Sequence, residues 1–171
     1  MAQREAKFTV NARPAEVWRF IRDFESLCTC IPGVEDIRVL DGRSTELTVR
    51  EKIGVVPLIV KLTARIDSEE PPRELHAIAN AEHLAIRIDV SLRAAGSGTE
   101  LVSRFDVKGE GPLKPIVDRL FEKRATERTE QFAECLRKRF SASEPAPVPQ
   151  PKPGGLWAWI VRLWRRLTSS S

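Results

Sequence analysis

The sequence contains no tyrosine, and His76 and His83 are its only histidines. These scarcities remove the side chains that most often move protons near neutral pH. Strand parity puts both histidines on the solvent side, His76 out of phase with Leu75 and His83 beside Leu84, so neither is expected to serve as a catalytic base. There is no Gly-x-Ser-x-Gly elbow, phosphate-binding glycine loop or His-Glu-x-x-His helix. No catalytic and no metal-binding residues are therefore assigned. Cysteine is scarce too: Cys28, Cys30 and Cys135 are all there is. No second Cys/His pair at zinc-finger spacing follows Cys28-x-Cys30, so these thiols are expected to be reduced, small buried residues, with no disulfide framework. The opening MAQREAKF lacks the apolar run of a secretory signal, which predicts a cytoplasmic protein.

What is present fits one globular domain with an appendage. The chain of 171 residues is 42% hydrophobic and 30% charged, which excludes disorder throughout. Its net charge of +4 is carried by Lys152, Arg162, Arg165 and Arg166, so residues 1–144 are balanced in charge. A nucleic-acid-binding body should carry its own basic face, and nucleic acid is not an expected partner.

Alternation over 7–10 predicts a short strand, and Arg13-Pro14 opens a helix whose Val17, Trp18, Phe20, Ile21 and Phe24 recur at helical spacing. A short helical piece around 25–29 ends at Ile31-Pro32-Gly33. Strands are predicted over 35–40, 44–53, 58–67, 73–81, 84–94 and 99–108. The clearest is LAIRIDVSL, which sends Leu84, Ile86, Ile88, Val90 and Leu92 to one face and Arg87, Asp89 and Ser91 to the other. After Gly109-Glu110-Gly111-Pro112 the period becomes helical as far as Phe140, with Val117, Phe121, Ala125, Phe132, Cys135 and Leu136 facing inward. The order β-α-α-β-β-β-β-β-β-α predicts an α+β helix-grip: a curved antiparallel sheet, covered on one side, wrapped around a long C-terminal helix.

Small residues on the inner face predict an internal apolar cavity. Ala77, Ala79 and Ala81 are too short to reach across, and the facing helix offers Ala125, Arg128 and Thr129 at its middle. The predicted ligand-binding residues are Leu58, Val60, Leu62, Ala77, Ala79, Ile86, Ile88, Phe105, Phe121 and Ala125, with Ser103 and Arg128 as polar contacts. No His, Asp or Glu is expected on this inner face. Close packing of the alanines, with Arg128 snorkelling at the helix edge, is the competing reading.

Several segments together resemble the family of CoxG, the carbon monoxide dehydrogenase G protein of the START/Bet v 1-like superfamily. They are Pro14-Ala-Glu-Val17-Trp18 with Asp23, Cys30-Ile31-Pro32-Gly33-Val34, Lys52-Ile53-Gly54, Gly98-Thr99 and Val107-Lys108-Gly109. The resemblance spans residues 5–140. It implies a helix-grip domain that holds a lipophilic small molecule, and a link to a molybdenum hydroxylase recruited or assembled at the cytoplasmic membrane. Two segments depart from the family pattern, Gly54-Val55-Val56-Pro57 and Gly109-Glu110-Gly111-Pro112, and both border the expected cavity mouth.

The chain ends differently. Residues 142–155 form a proline-rich linker, an extended spacer reaching roughly 30 Å from the domain at residues 1–141. Residues 156–168 follow as an amphipathic helix, and 169–171 as a disordered end. On a helical wheel Leu156, Trp157, Trp159, Ile160, Leu163 and Trp164 share a broad apolar sector, with Arg162, Arg165 and Arg166 opposite. Too short to span a bilayer, the segment is expected to lie in the interface of an anionic membrane. A net binding energy of about 6–8 kcal/mol makes this attachment reversible and salt-sensitive. The expected protein is thus peripheral on the inner face of the cell membrane. It has no tightly bound cofactor and accepts a lipophilic ligand such as a quinone. It serves a molybdenum-hydroxylase-type partner, the alternatives being a ligand-free recruitment factor or an aromatase/cyclase-like enzyme.

Overall fold

Pro14 occupies the first turn of a helix, where its missing N–H removes no intrahelical bond, and the Arg13 N–H donates to Glu16 Oε2 at 2.9 Å to close that turn. From this start the computed structural model, which describes residues 2–141, follows the predicted order of elements. These are β1 (Ala2–Val10), α1 (Pro14–Arg22), α2 (Phe24–Cys30), β2 (Val34–Val39), β3 (Ser44–Ile53) and β4 (Val56–Glu70). β5 (Glu74–Ala81), β6 (Leu84–Ala95), β7 (Gly98–Gly109) and α3 (Lys114–Ser141) complete them. The predicted linker, interfacial helix and end, residues 142–155, 156–168 and 169–171, lie outside the described residues.

The strands form one antiparallel sheet of seven, ordered β1-β7-β6-β5-β4-β3-β2. β1 and β2 are its two edges, and the pair α1–α2 carries the chain from one edge to the other. Asp23 separates the two helices and caps the second: the Ser26 N–H and hydroxyl donate to its carboxylate at 3.3 and 2.6 Å. Those bonds hold the Asp23 carboxyl below its ordinary pKa. Gly33 then sets the path into β2. Its φ of +87° favours glycine, and a Cβ there would stand 2.7 Å from the Arg50 carbonyl oxygen. The Arg50 N–H donates to the Gly33 carbonyl at 2.8 Å, so the approach cannot be relaxed without losing that bond.

Two strands run longer than their sequence patterns. β1 begins at Ala2, because it pairs with β7 from Ala2↔Val107 to Val10↔Thr99. β4 extends over Val56–Glu70, since the two-residue turn Gly54-Val55 keeps it paired with β3 as far as Ile53↔Val56. Gly54, at φ +63°, takes the first position of that turn, as a II′ hairpin requires.

The core gathers at one end of the sheet. Phe8, Val10, Leu75, Leu92 and Leu101 from the strands meet Val17, Trp18, Phe20 and Ile21 from α1, and Ala133, Leu136 and Phe140 from the last turns of α3. Edge-to-face ring pairs join Phe8 to Phe132 and Phe20 to Phe140, with centroids 6.1 and 5.7 Å apart.

The cysteines require a correction. Cys30 and Cys135 form a disulfide across 105 residues of sequence, where the sequence pattern predicts reduced thiols. The end of α2 packs on the last turns of α3, bringing the two Cα atoms to 5.5 Å. Sequence spacing carries no trace of that approach. Cys28 matches its expectation as a buried free thiol, and desolvation pushes its pKa up to about 11.

Candidate functional site

Antiparallel partners share a face, so the register assigns the concave side of the sheet directly. Leu62 and Val60 lie opposite Leu47 and Val49 of β3, and Leu58 lies opposite Glu51. Ala79 stands between Ala64 and Ile86, and Ala77 between Ile66 and Ile88. Ile88 in turn faces Phe105, and Val90 faces Ser103. The strand residues singled out from sequence therefore occupy one face of the sheet, the face that also carries the core. Phe121, Ala125 and Arg128 belong to α3.

Along that face burial falls off. Toward α1 the concave side chains are sealed: Leu75, Leu92, Leu101 and Ser103 are buried. Away from α1, Leu58, Val60, Ala77, Ile86, Ile88 and Phe105 are only half-buried, as are Phe121 and Ala125 on the helix. Leu62 and Ala79 remain buried among them. Large aliphatic groups with water still in reach on an inner face are the lining of an unfilled space.

Polar bonds hold α3 to the sheet at the boundary between these zones. Arg128 donates through Nη2 to both carboxylate oxygens of Glu51, at 2.8 and 2.7 Å, and both side chains are part-buried. From the opposite edge of the sheet, Arg4 Nη2 donates to Thr126 Oγ1 at 2.6 Å. Arg4 Nε is buried with no partner among the described residues, which leaves one donor beside Phe105, the residue Arg4 faces in β7.

Neither Arg4 nor Glu51 belongs to the site that the sequence pattern predicts. That pattern places no acid on the inner face, and Glu51 overturns the expectation. The tight turn at Gly54-Val55 pairs Glu51 with Leu58 and so commits it to the concave face. Arg4 is hidden because the alternation preceding Lys7 is interrupted by charges. A weak signal exists in each case: Ala6 and Phe8 set a parity that continues back to Arg4, and Val49 sets one that continues to Glu51. Arg128, expected as a ligand contact or a snorkelling cation, is instead the partner of Glu51.

A cleft of about 470 Å³ opens beside the start of this zone, lined by Gly54, Leu120, Lys123, Arg124 and Glu127. None of the predicted wall residues is among these five. Arg124 closes one side by donating to the Lys52 carbonyl at 3.4 Å. The histidines stand elsewhere. His76 pairs across the strands with Asp89 at 2.6 Å on the convex face, and His83 sits in the β5–β6 turn at φ 63°. Among the described residues, no helix is long and apolar enough to cross a membrane, and no group of three or more His, Cys, Asp or Glu is placed to hold a metal ion.

Solved structures share this architecture. A conserved protein from Geobacillus kaustophilus superposes with a TM-score of 0.71 at 16% identity, over 83% of this chain and 97% of its own. A START superfamily protein from Mycobacterium smegmatis gives 0.65 at 19% identity, over 82% and 97%. A protein from Thermus thermophilus gives 0.65 at 18% identity, over 84% and 99%. No curated protein matches the chain. The fold is thus that of the START/Bet v 1-like proteins. The sequence also matches the carbon monoxide dehydrogenase family described as CoxG over residues 6–141, the whole span from the second half of β1 to the end of α3. The motif residues have structural work in this chain: Val17 and Trp18 are core, Asp23 caps α2 and Gly33 admits Arg50. On that match, the chain belongs to the CoxG family.

Proposed function

We propose that this protein is a carrier of a lipophilic small molecule, tethered to the cytoplasmic face of a membrane by residues 156–168. The START-like fold supports a ligand-binding role. The observation that carries the finer reading is the half-buried aliphatic zone of the concave face, where Ala77 and Ala79 leave the room that larger side chains would fill. Arg4 Nε and the Ser103 hydroxyl supply donors for a carbonyl-bearing head, which suits a quinone better than a plain hydrocarbon. The apolar walls take the chain of such a ligand. Its destination is a molybdenum-hydroxylase-type enzyme, for which the family name supplies the motive.

The test is extraction of the purified full-length chain with organic solvent, followed by mass spectrometry. A lipophilic molecule should be recovered at near-stoichiometric level and lost in Ala79→Phe, or in Ala77→Phe at a half-buried site if the first variant is less stable. Recovery of nothing from a well-folded chain rejects the carrier. The charged lining of the cleft, Lys123, Arg124 and Glu127, favours a second reading, a ligand-free recruitment factor. In that case co-purification with the enzyme survives both phenylalanine variants.

A further inference from the structure

The turn between β3 and β4 carries the most exposed large apolar side chains among the described residues: Val55 is 98% exposed, Val56 61% and Ile59 53%. It is the tip of a hairpin, paired out to Ile53↔Val56, so the valines stand on a braced support. Gly54, in the same turn, lines the open cleft. Cations surround the tip. Lys52 and Lys123 are exposed and form no ion pair with a described residue, while the nearby carboxylates Glu51 and Glu127 are each matched by an arginine, Arg128 and Arg124.

We propose that this hairpin tip is a bilayer-docking element of the domain itself, dipping Val55 and Val56 into an anionic leaflet while Lys52 and Lys123 engage the headgroups. An aliphatic point ringed by flexible lysines matches the layered chemistry of a membrane interface, apolar below and anionic above. A protein partner is the poorer fit: a stable interface takes roughly 800 Å² per partner, and three aliphatic side chains on a protruding turn offer far less. Docking in this pose brings the Gly54 side of the cleft to the lipid surface. The inference rests on the carrier reading for its purpose, though the contact itself stands on the exposed valines and the two lysines.

The experiment uses the full-length chain and vesicles of phosphatidylglycerol with phosphatidylethanolamine, compared with phosphatidylcholine alone. An environment-sensitive fluorophore is attached through Val55→Cys; the native disulfide and the buried Cys28 leave that position selectively reactive. On anionic vesicles its emission should shift to the blue and be quenched by brominated acyl chains, and the shift should fade with added salt. Val55→Ser with Val56→Ser should weaken vesicle binding roughly ten- to fifty-fold without lowering the melting temperature. Emission that stays water-like while the chain floats with the vesicles overturns the proposal, gives the binding to residues 156–168 alone, and leaves the carrier reading intact. A blue shift in a chain from which no ligand can be extracted upholds the docking element and rejects the carrier.

Discussion

The two ends of the concave face are built from the same sheet and the same helix, yet they are different materials. Near α1 the space between sheet and helix is solid: Leu136 and Val17 have no exposed surface, and two aromatic pairs and a disulfide lock α3 in place. Beyond the Glu51–Arg128 and Arg4–Thr126 bonds, the same face presents half-buried Leu58, Ile86, Ile88 and Phe105 to alanines and to the looser half of α3. The difference teaches that stability and capacity are divided lengthwise. One end holds the fold, which frees the other from being filled.

That division makes unequal costs its signature. Leu136→Ala should destabilise the domain by about 3–4 kcal/mol, because it opens a cavity in a sealed core. Ile88→Ala should cost only about 1 kcal/mol, since the removed methyl groups already border open space. Denaturant melts of the two variants measure the contrast, and equal losses would erase it. Reducing the Cys30–Cys135 bond should remove about 3 kcal/mol, as expected for a crosslink that closes so long a loop. Thermal melts with and without dithiothreitol read this, and the loss should leave extracted ligand unchanged.

Glu51→Gln acts at the boundary. It strips Arg128 of its charged partner in a part-buried setting and should cost about 1 kcal/mol, more at low salt than at high. A double-mutant cycle with Arg128→Met isolates the pair, and a coupling of zero would deny these residues any holding role. The smallest effect concerns Asp23. Its lowered folded-state pKa means that its capping contribution is whole above the ordinary aspartate range and lost as pH falls through the folded value. Asp23→Asn should therefore flatten the acid limb of the stability profile and leave neutral pH nearly untouched. An unchanged acid limb would mean that other carboxylates set it.

Much of this architecture is legible in residue order. LAIRIDVSL alternates so cleanly that β6 and its inner face follow at once, and the switch to helical spacing after Pro112 locates α3. The alanines at 77 and 79 mark the thin part of the wall. What residue order hides is long-range. Glu51 owes its orientation to a two-residue turn that fixes register, and a one-residue slip would send it to solvent. Cys30 and Cys135 meet because α2 packs against the end of α3, a tertiary fact with no periodic signal. The cleft beside Gly54 likewise depends on where α3 begins relative to the β3–β4 hairpin, which no single segment encodes.

The Cys30–Cys135 bond also has a mechanical side. It acts as a fulcrum at one extremity of a helix of 28 residues, about 42 Å long at 1.5 Å per residue. A rotation of about 5° there carries the Lys114 extremity through roughly 4 Å, by the length such a rod has. Small adjustments at the anchored end become atom-sized apertures at the far one.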